Sequence, residues 1–136
     1  MKKQFNHKAL DLRDKKTIVF TALSKKYFYM RMFIVKFVLE QEKIPLNPFM
    51  SFDYYLLDTV DRDIIRNANN NLVSLADELW IFGSISDGVM AEIKQGKKIA
   101  KPIRFFKIEN DREIIEISSV DLTFEDGIEK FKEELL

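Results

Sequence analysis

A glutamate on the helix that follows a short apolar run is the residue of this sequence best placed for chemistry. The run, residues 79–82, is typical of a strand buried on both faces of a parallel sheet, and the small residues of 83–88 indicate a turn. From Val89 the apolar residues recur at helical spacing, and Glu92 falls on the same side of that helix as Ile93. A carboxylate at the edge of a buried stripe needs either a partner or a chemical role, because an unpaired buried charge is costly.

The alternative role for Glu92 is to cap its own helix. A capping box places the acid three residues after a Ser or Thr cap, and the residue at that position is Val89. Ser86 and Asp87 are better caps, and either one puts Glu92 beyond the first turn. Asp87 itself suits both a helix cap and a ligand contact, and the turn serines Ser84 and Ser86 suit both anion binding and capping.

Composition limits the classes of function. The 136 residues predict one domain over 1–136, with a polar leader at 1–16. The 22 basic and 22 acidic residues balance and are interleaved, so duplex nucleic acid is not expected as a partner. The leader is charged but no long apolar stretch follows it, so we expect neither a signal peptide nor a membrane span.

Cysteine is absent, which excludes disulfides and thiolate metal sites and favours a reducing cytoplasm. The only histidine, His7, lies in the leader without a second imidazole, so no metal site is predicted. No cofactor is predicted either.

Strand and helix patterns alternate along the chain. Strands are predicted at 17–21, 44–49, 79–82, 101–108 and 112–117, and amphipathic helices at 27–42, 58–75, from Val89 to Ala100, and 124–136. The two prolines of 44–49 favour an edge position, and Gly96 is predicted to let its helix approach the sheet closely. The aromatic stretch 50–57 lacks periodicity and is interpreted as a loop that could fold over a site. The alternation predicts right-handed crossovers and an α/β fold, with one open, mostly parallel sheet of about five strands flanked by helices.

Ligands of such sheets bind beyond the carboxyl ends of the strands. The candidate site residues therefore lie in three segments, 21–24, 47–49 and 83–92. Arg31 and Arg104 could meet a phosphate, although surface ion pairs explain most such arginines. Tyr54 and Tyr55 could stack on a base, although packing is the more common role.

Several of these segments together resemble the nucleoside 2-deoxyribosyltransferase-like superfamily. The likeness spans roughly residues 18–106: a first strand ending in a small-residue turn, a Pro-Phe pair at 48–49, Ala-Asp-Glu-Leu-Trp at 76–80, and Asp-Gly-Val-Met-Ala-Glu at 87–92. The resemblance implies a flavodoxin-like, doubly wound sheet and a homodimer or larger assembly. It also implies that Glu92 is the nucleophile and that Asp87 assists the leaving base or a sugar hydroxyl.

The family often has a Gly-rich turn after its first strand and an aromatic hydroxyl that orients the nucleophile. Here the turn is Thr-Ala-Leu-Ser and Phe20 has no hydroxyl, so Tyr27 is the candidate for that role. Asp77 precedes the third strand and is expected at its amino end, remote from the site. The residues expected to bind substrate are Thr21, Ser24, Tyr27, Asn47, Phe49, Gly83, Ser84, Ser86 and Gly88.

The chemistry expected at Glu92 is cleavage of an N-glycosidic bond, or transfer of a deoxyribosyl group, on a nucleoside or nucleoside 5′-monophosphate. Breaking that bond builds positive charge on the sugar, which a carboxylate can stabilise or trap covalently. A non-catalytic nucleotide sensor of a stress or defence system would use the same cleft. A scaffold that only oligomerises would leave the 87–92 segment unexplained.

Overall fold

A five-stranded sheet forms the centre of the computed structural model, which describes residues 2–52 and 59–135. Its strands are β1 (Ile18–Leu23), β2 (Ile44–Leu46), β3 (Glu78–Phe82), β4 (Ile103–Glu109) and β5 (Glu113–Ile117). They lie in the order β2-β1-β3-β4-β5. All neighbouring pairs are parallel except β4 and β5, which are antiparallel. The predicted α/β fold with a mostly parallel sheet is confirmed.

Helices cover both faces of this sheet. The α-helices that lie wholly within the described residues are α1 (Arg31–Glu40), α2 (Pro48–Ser51), α3 (Arg62–Leu75) and α4 (Asp87–Lys98). Alternate residues of β1 and β3 point to opposite faces. Phe20 and Ile81 pack with α3 and α4 on one face, whereas Val19, Trp80 and Phe82 pack with α1 on the other. The sheet is therefore doubly wound.

The central strand β3 is apolar because it is covered on both faces. Leu79, Trp80, Ile81 and Phe82 are each fully buried, as the uninterrupted apolar run predicts. The amino end of β3 is fixed by Asp77, whose Oδ2 accepts a hydrogen bond of 2.8 Å from the backbone N–H of Ile18. Asp77 therefore lies at the opposite end of the strand from the predicted site, as expected.

Helix α4 lies close against β3 at Gly96. A Cβ atom at Gly96 would come within 2.6 Å of Leu79 Cδ2. A larger residue at this position would therefore require the Leu79 side chain or the helix to move. This confirms the predicted reason for the glycine. The helix ends at Lys98 rather than at Ala100, which takes a left-handed φ of +58°.

Several predicted elements differ in extent or type. The helix predicted at 27–42 is a 3₁₀ helix, Lys25–Met30, followed by α1. The second strand ends at Leu46, and the chain then enters α2 instead of continuing extended. Helix α3 begins at Arg62, and residues 53–58, which hold Tyr54, Tyr55 and most of the predicted loop, lie outside the described residues.

The predicted C-terminal α-helix at 124–136 is wrong in type. A 3₁₀ helix spans Glu129–Leu135, while Phe124 forms a parallel bridge with Ile85. The backbone N–H of Ile85 also donates to Thr123, so this stretch is held at the end of β3 before the 3₁₀ helix can start. The amphipathic pattern of 124–136 predicts that Leu135 and Phe131 both face inward; Leu135 is buried, whereas Phe131 is exposed.

Candidate active site

The sheet order reverses between β1 and β3, because β1 is followed by a strand on one side and β3 by a strand on the other. In open α/β sheets this reversal opens a crevice at the carboxyl ends of the two strands. A cavity of about 330 Å³ lies there, which we call the switch-point pocket. Among the residues that line it are Ser24, Phe49, Asp87, Gly88, Glu92 and Glu125.

Glu92 is half-buried on α4 and faces α3. Its Oε2 accepts a hydrogen bond of 2.6 Å from Asn69 Nδ2, whereas its Oε1 accepts none from the described residues. Burial raises the pKa of the Glu92 carboxyl from its ordinary value of 4.5 to about 7, and the hydrogen bond from Asn69 partly opposes that rise. At neutral pH this carboxyl is therefore present in both protonated and ionised forms.

A second, larger cavity adjoins Glu92 on its other side. This α3–α4 groove has a volume of about 900 Å³ and is lined by residues that include Arg66, Asn69, Gly88, Glu92, Lys97 and Lys98. Gly88 and Glu92 line both cavities, so the carboxyl stands at the junction between them. Both volumes are in the range of small-molecule sites.

The helix cap is Ser86, whose Oγ accepts a hydrogen bond of 3.2 Å from the backbone N–H of Val89. Glu92 therefore lies beyond the first turn and has no part in a capping box. Asp87 is exposed at the mouth of the switch-point pocket, and its Oδ1 accepts from the backbone N–H of Gly88 at 2.7 Å. It retains a carboxylate oxygen for a ligand.

Tyr27 contacts the turn after β3 and not Glu92. Its hydroxyl accepts from the backbone N–H of Ser84 at 3.2 Å and donates to Ser84 Oγ at 3.3 Å. Ser84 Oγ in turn donates to Glu125 Oε2 at 3.0 Å. Gly83 has a φ of +81° and packs so closely on the Tyr27 ring that a Cβ would lie 2.5 Å from it. Tyr27 and Ser84 therefore hold the turn after β3 in its conformation.

The remaining predicted binding residues separate into pocket-lining and buried positions. Ser24 and Phe49 line the switch-point pocket. Thr21 is fully buried and its hydroxyl donates to the Leu46 carbonyl at 3.3 Å, so it ties β1 to β2. Asn47 caps α2 by accepting from the backbone N–H of Phe49, and its buried Nδ2 has no hydrogen-bond partner among the described residues.

The two arginines considered for phosphate binding have other partners. Arg104 forms two hydrogen bonds with Glu116, at 2.7 Å and 2.8 Å, and its guanidinium lies over the Trp80 ring. Arg31 donates to the Phe28 carbonyl at 3.0 Å and lies over the Phe28 ring. Neither arginine is among the residues that line the two cavities.

Two residues of the site, Asn69 and Glu125, were missed by reasoning from the sequence. Asn69 lies 23 residues before the carboxyl it contacts, and Glu125 lies 41 residues after its serine partner. The asparagines at 67 and 69–71 are weak helix formers inside a predicted helix, and such a local inconsistency is the signal that could have directed attention to Asn69.

Over residues 2–52 and 59–135, no group of three or more His, Asp or Glu side chains is arranged to hold a metal ion. Over the same residues, every helix is too short or too polar to cross a bilayer.

A solved structure described as a 2-desoxiribosyltransferase from Leishmania mexicana superimposes with a TM-score of 0.55 at 14% sequence identity, covering 88% of this chain and 99% of the other. The resemblance predicted from the sequence is thus supported at the level of the fold.

No curated protein gives a significant sequence match. A family model matches residues 22–106, which include β3, Asn69 and Glu92. The chain therefore belongs to the family described as a domain of unknown function (DUF7768).

Proposed function

We propose that the protein cleaves the N-glycosidic bond of a deoxyribonucleoside or its 5′-monophosphate, with Glu92 as the nucleophile. The observation that carries the proposal is the position of Glu92, a half-buried carboxyl at the junction of two cavities with a pKa of about 7. Strongly perturbed carboxyls in clefts are typical of catalytic sites. The fold shared with a 2-desoxiribosyltransferase agrees with this choice of chemistry.

The reaction uses the two oxygens of Glu92 differently. Asn69 donates to Oε2 and holds the carboxylate in place, while Oε1 is the atom that attacks the anomeric carbon. As the C–N bond breaks, the bond from the anomeric carbon to Oε1 forms, and the base leaves with the electron pair of the broken bond. Water or a second base then displaces the carboxylate and takes the sugar.

Protonation of the departing base falls to groups in the switch-point pocket. Asp87 lines this pocket with its carboxylate exposed, and a water molecule held beside it supplies the proton. Phe49 presents an aromatic ring to the same pocket, on which a base can stack.

A non-catalytic nucleotide sensor is the second candidate. The observation that favours it is the contact between the Tyr27 hydroxyl and Ser84, since among the described residues no hydroxyl orients Glu92. A sensor would bind the same ligand and release no base. A homodimer or larger assembly and a cytoplasmic location stay predictions under either function.

The deciding experiment measures release of free base from deoxynucleosides and their 5′-monophosphates. Glu92→Ala is expected to reduce release by about 1,000-fold or more, as removal of a nucleophile does in other enzymes. The matched control is Glu40→Ala, on the exposed end of α1, which should retain full activity. Equal release by wild type and Glu92→Ala would reject the reaction, and ligand binding by wild type without any release would favour the sensor.

A further inference from the structure

The α3–α4 groove carries an excess of positive charge that the proposed reaction does not use. Arg66, Lys94, Lys97 and Lys98 line it, and Glu92 is the only acidic residue among the described side chains that line it. Three of the cations point from α4 and one from α3, so both walls of the groove are basic.

The cations of the groove are only partly neutralised. Arg66 pairs with Asp63 at 2.9 Å, but both side chains are largely exposed, so the pair is weak. Lys94 pairs with Glu134, and Lys97 donates to the Glu134 carbonyl at 3.4 Å. Lys98 makes no ion pair with any residue that the structure describes. Lysines in the last turn of a helix also interact with its dipole, but this does not explain Arg66 on the opposite wall.

The lysines at the end of α4 lie within side-chain reach of a ligand held at Glu92. Lys97 and Lys98 follow Glu92 by five and six residues, which is about 7–9 Å along a helix at a rise of ~1.5 Å per residue and about 120–140° around it, so their side chains reach the ligand by bending back along the groove. The anomeric carbon and the 5′-phosphate of a nucleotide are separated by one sugar ring, and the flexible lysine stems make up the remaining distance. Asn70 and Gln95 add amide groups to the same groove, which can donate to phosphate oxygens.

We propose that the α3–α4 groove binds the phosphate of a nucleoside 5′-phosphate whose sugar lies at Glu92 and whose base occupies the switch-point pocket. This inference rests on the proposed function and narrows it to the phosphorylated substrate. It assigns Lys97 and Lys98 as the phosphate-binding residues. The neighbouring cavities, of about 330 Å³ and about 900 Å³, give base and phosphate separate places on either side of the carboxyl.

The test measures binding in a protein that cannot turn over its ligand. In a Glu92→Gln background, calorimetry compares the four common 2′-deoxynucleoside 5′-monophosphates with the matching unphosphorylated nucleosides. Lys97→Gln/Lys98→Gln should weaken monophosphate binding by about tenfold or more, leave nucleoside binding within about twofold, and reduce the salt dependence of monophosphate binding. The matched control, Lys36→Gln/Lys43→Gln, removes the same charge from α1 and the turn after it and should change neither.

Three results would overturn the inference: equal affinity for monophosphates and nucleosides, equal weakening of both by the lysine substitutions, or no binding of any monophosphate at millimolar concentration. Thermal denaturation of each variant checks that the fold is retained. Tight binding of monophosphates without base release by the wild type would refute the proposed reaction and leave the assignment of the groove standing.

Discussion

Replacing Glu92 by glutamine is expected to make the protein more stable at alkaline pH and to leave its stability nearly unchanged at acidic pH. Glutamine has almost the same shape, can still accept the hydrogen bond from Asn69, and carries no charge. The difference between wild type and variant therefore reports the cost of ionising one carboxyl in a half-buried place.

The sign and the size follow from the pKa of Glu92. Burial raises it from 4.5 to about 7, so between these values the folded protein holds a proton that the unfolded chain has lost. Stability of the wild type must then fall as the pH rises through this window and level off above it. A rise of roughly 2.5 pKa units corresponds to about 3 kcal/mol. The side chain is only half-buried and both cavities admit solvent, so we expect an observed difference of about 1–3 kcal/mol.

The assay is urea denaturation of both proteins at a series of pH values from about 4.5 to about 8.5, with the free energy of unfolding extrapolated to water at each. Subtracting the two curves cancels every other titrating group. We expect the variant to gain its advantage progressively up to about pH 7 and to keep it above about pH 8. Parallel curves over the whole range would show that Glu92 is solvated like a surface carboxyl, and the argument for its role would be lost.

Two other predictions concern α3 and α4. Asn69→Ala removes a hydrogen bond to a charged group, worth about 1.5–3 kcal/mol, so Glu92 should ionise at distinctly higher pH, as NMR titration of its carboxyl carbon would show. An unchanged or lower ionisation pH would contradict this. Gly96→Ala should destabilise the fold by about 1–3 kcal/mol, since the new Cβ would meet Leu79 at 2.6 Å. Gly88→Ala, with no atom within 4 Å of its Cβ, should be neutral or slightly stabilising. Equal changes in melting temperature for Gly96→Ala and Gly88→Ala would refute the argument that α4 packs closely on β3 at Gly96.

Features that depend on the sequence of a single strand or helix could be predicted from the sequence. The apolar run around Trp80 predicts the central strand because only a strand covered on both faces tolerates such a run. The helix cap is decided within one turn: the sequence leaves Ser86 and Asp87 as candidates, and Ser86 is the cap in the structure. The close approach at Gly96 is predicted from the place of this glycine on the apolar side of the helix, and the contact with Leu79 agrees. The position of Asp77 at the amino end of its strand follows from strand direction alone.

Features that depend on contacts between distant segments could not be predicted in this way. Asn69 reaches the carboxyl only because α3 and α4 lie side by side, and no local pattern specifies which of four nearby asparagines does so. The choice between α and 3₁₀ geometry after Ser24 and after Gly127 depends on where the flanking chain is anchored. Sequence reasoning placed Thr21 in the site because it ends a predicted strand, but β1 runs on to Leu23 and the hydroxyl is used within the sheet.

The edge strand β2 has a consequence for how copies of this protein can meet. It has three residues, and the middle one, Pro45, has no amide hydrogen to offer to an incoming strand. Continuous edge-to-edge pairing of two sheets through β2 is therefore disfavoured, which reduces aggregation at high protein concentration. Association on this side then depends mainly on side chains, and we expect it to be sensitive to single surface substitutions.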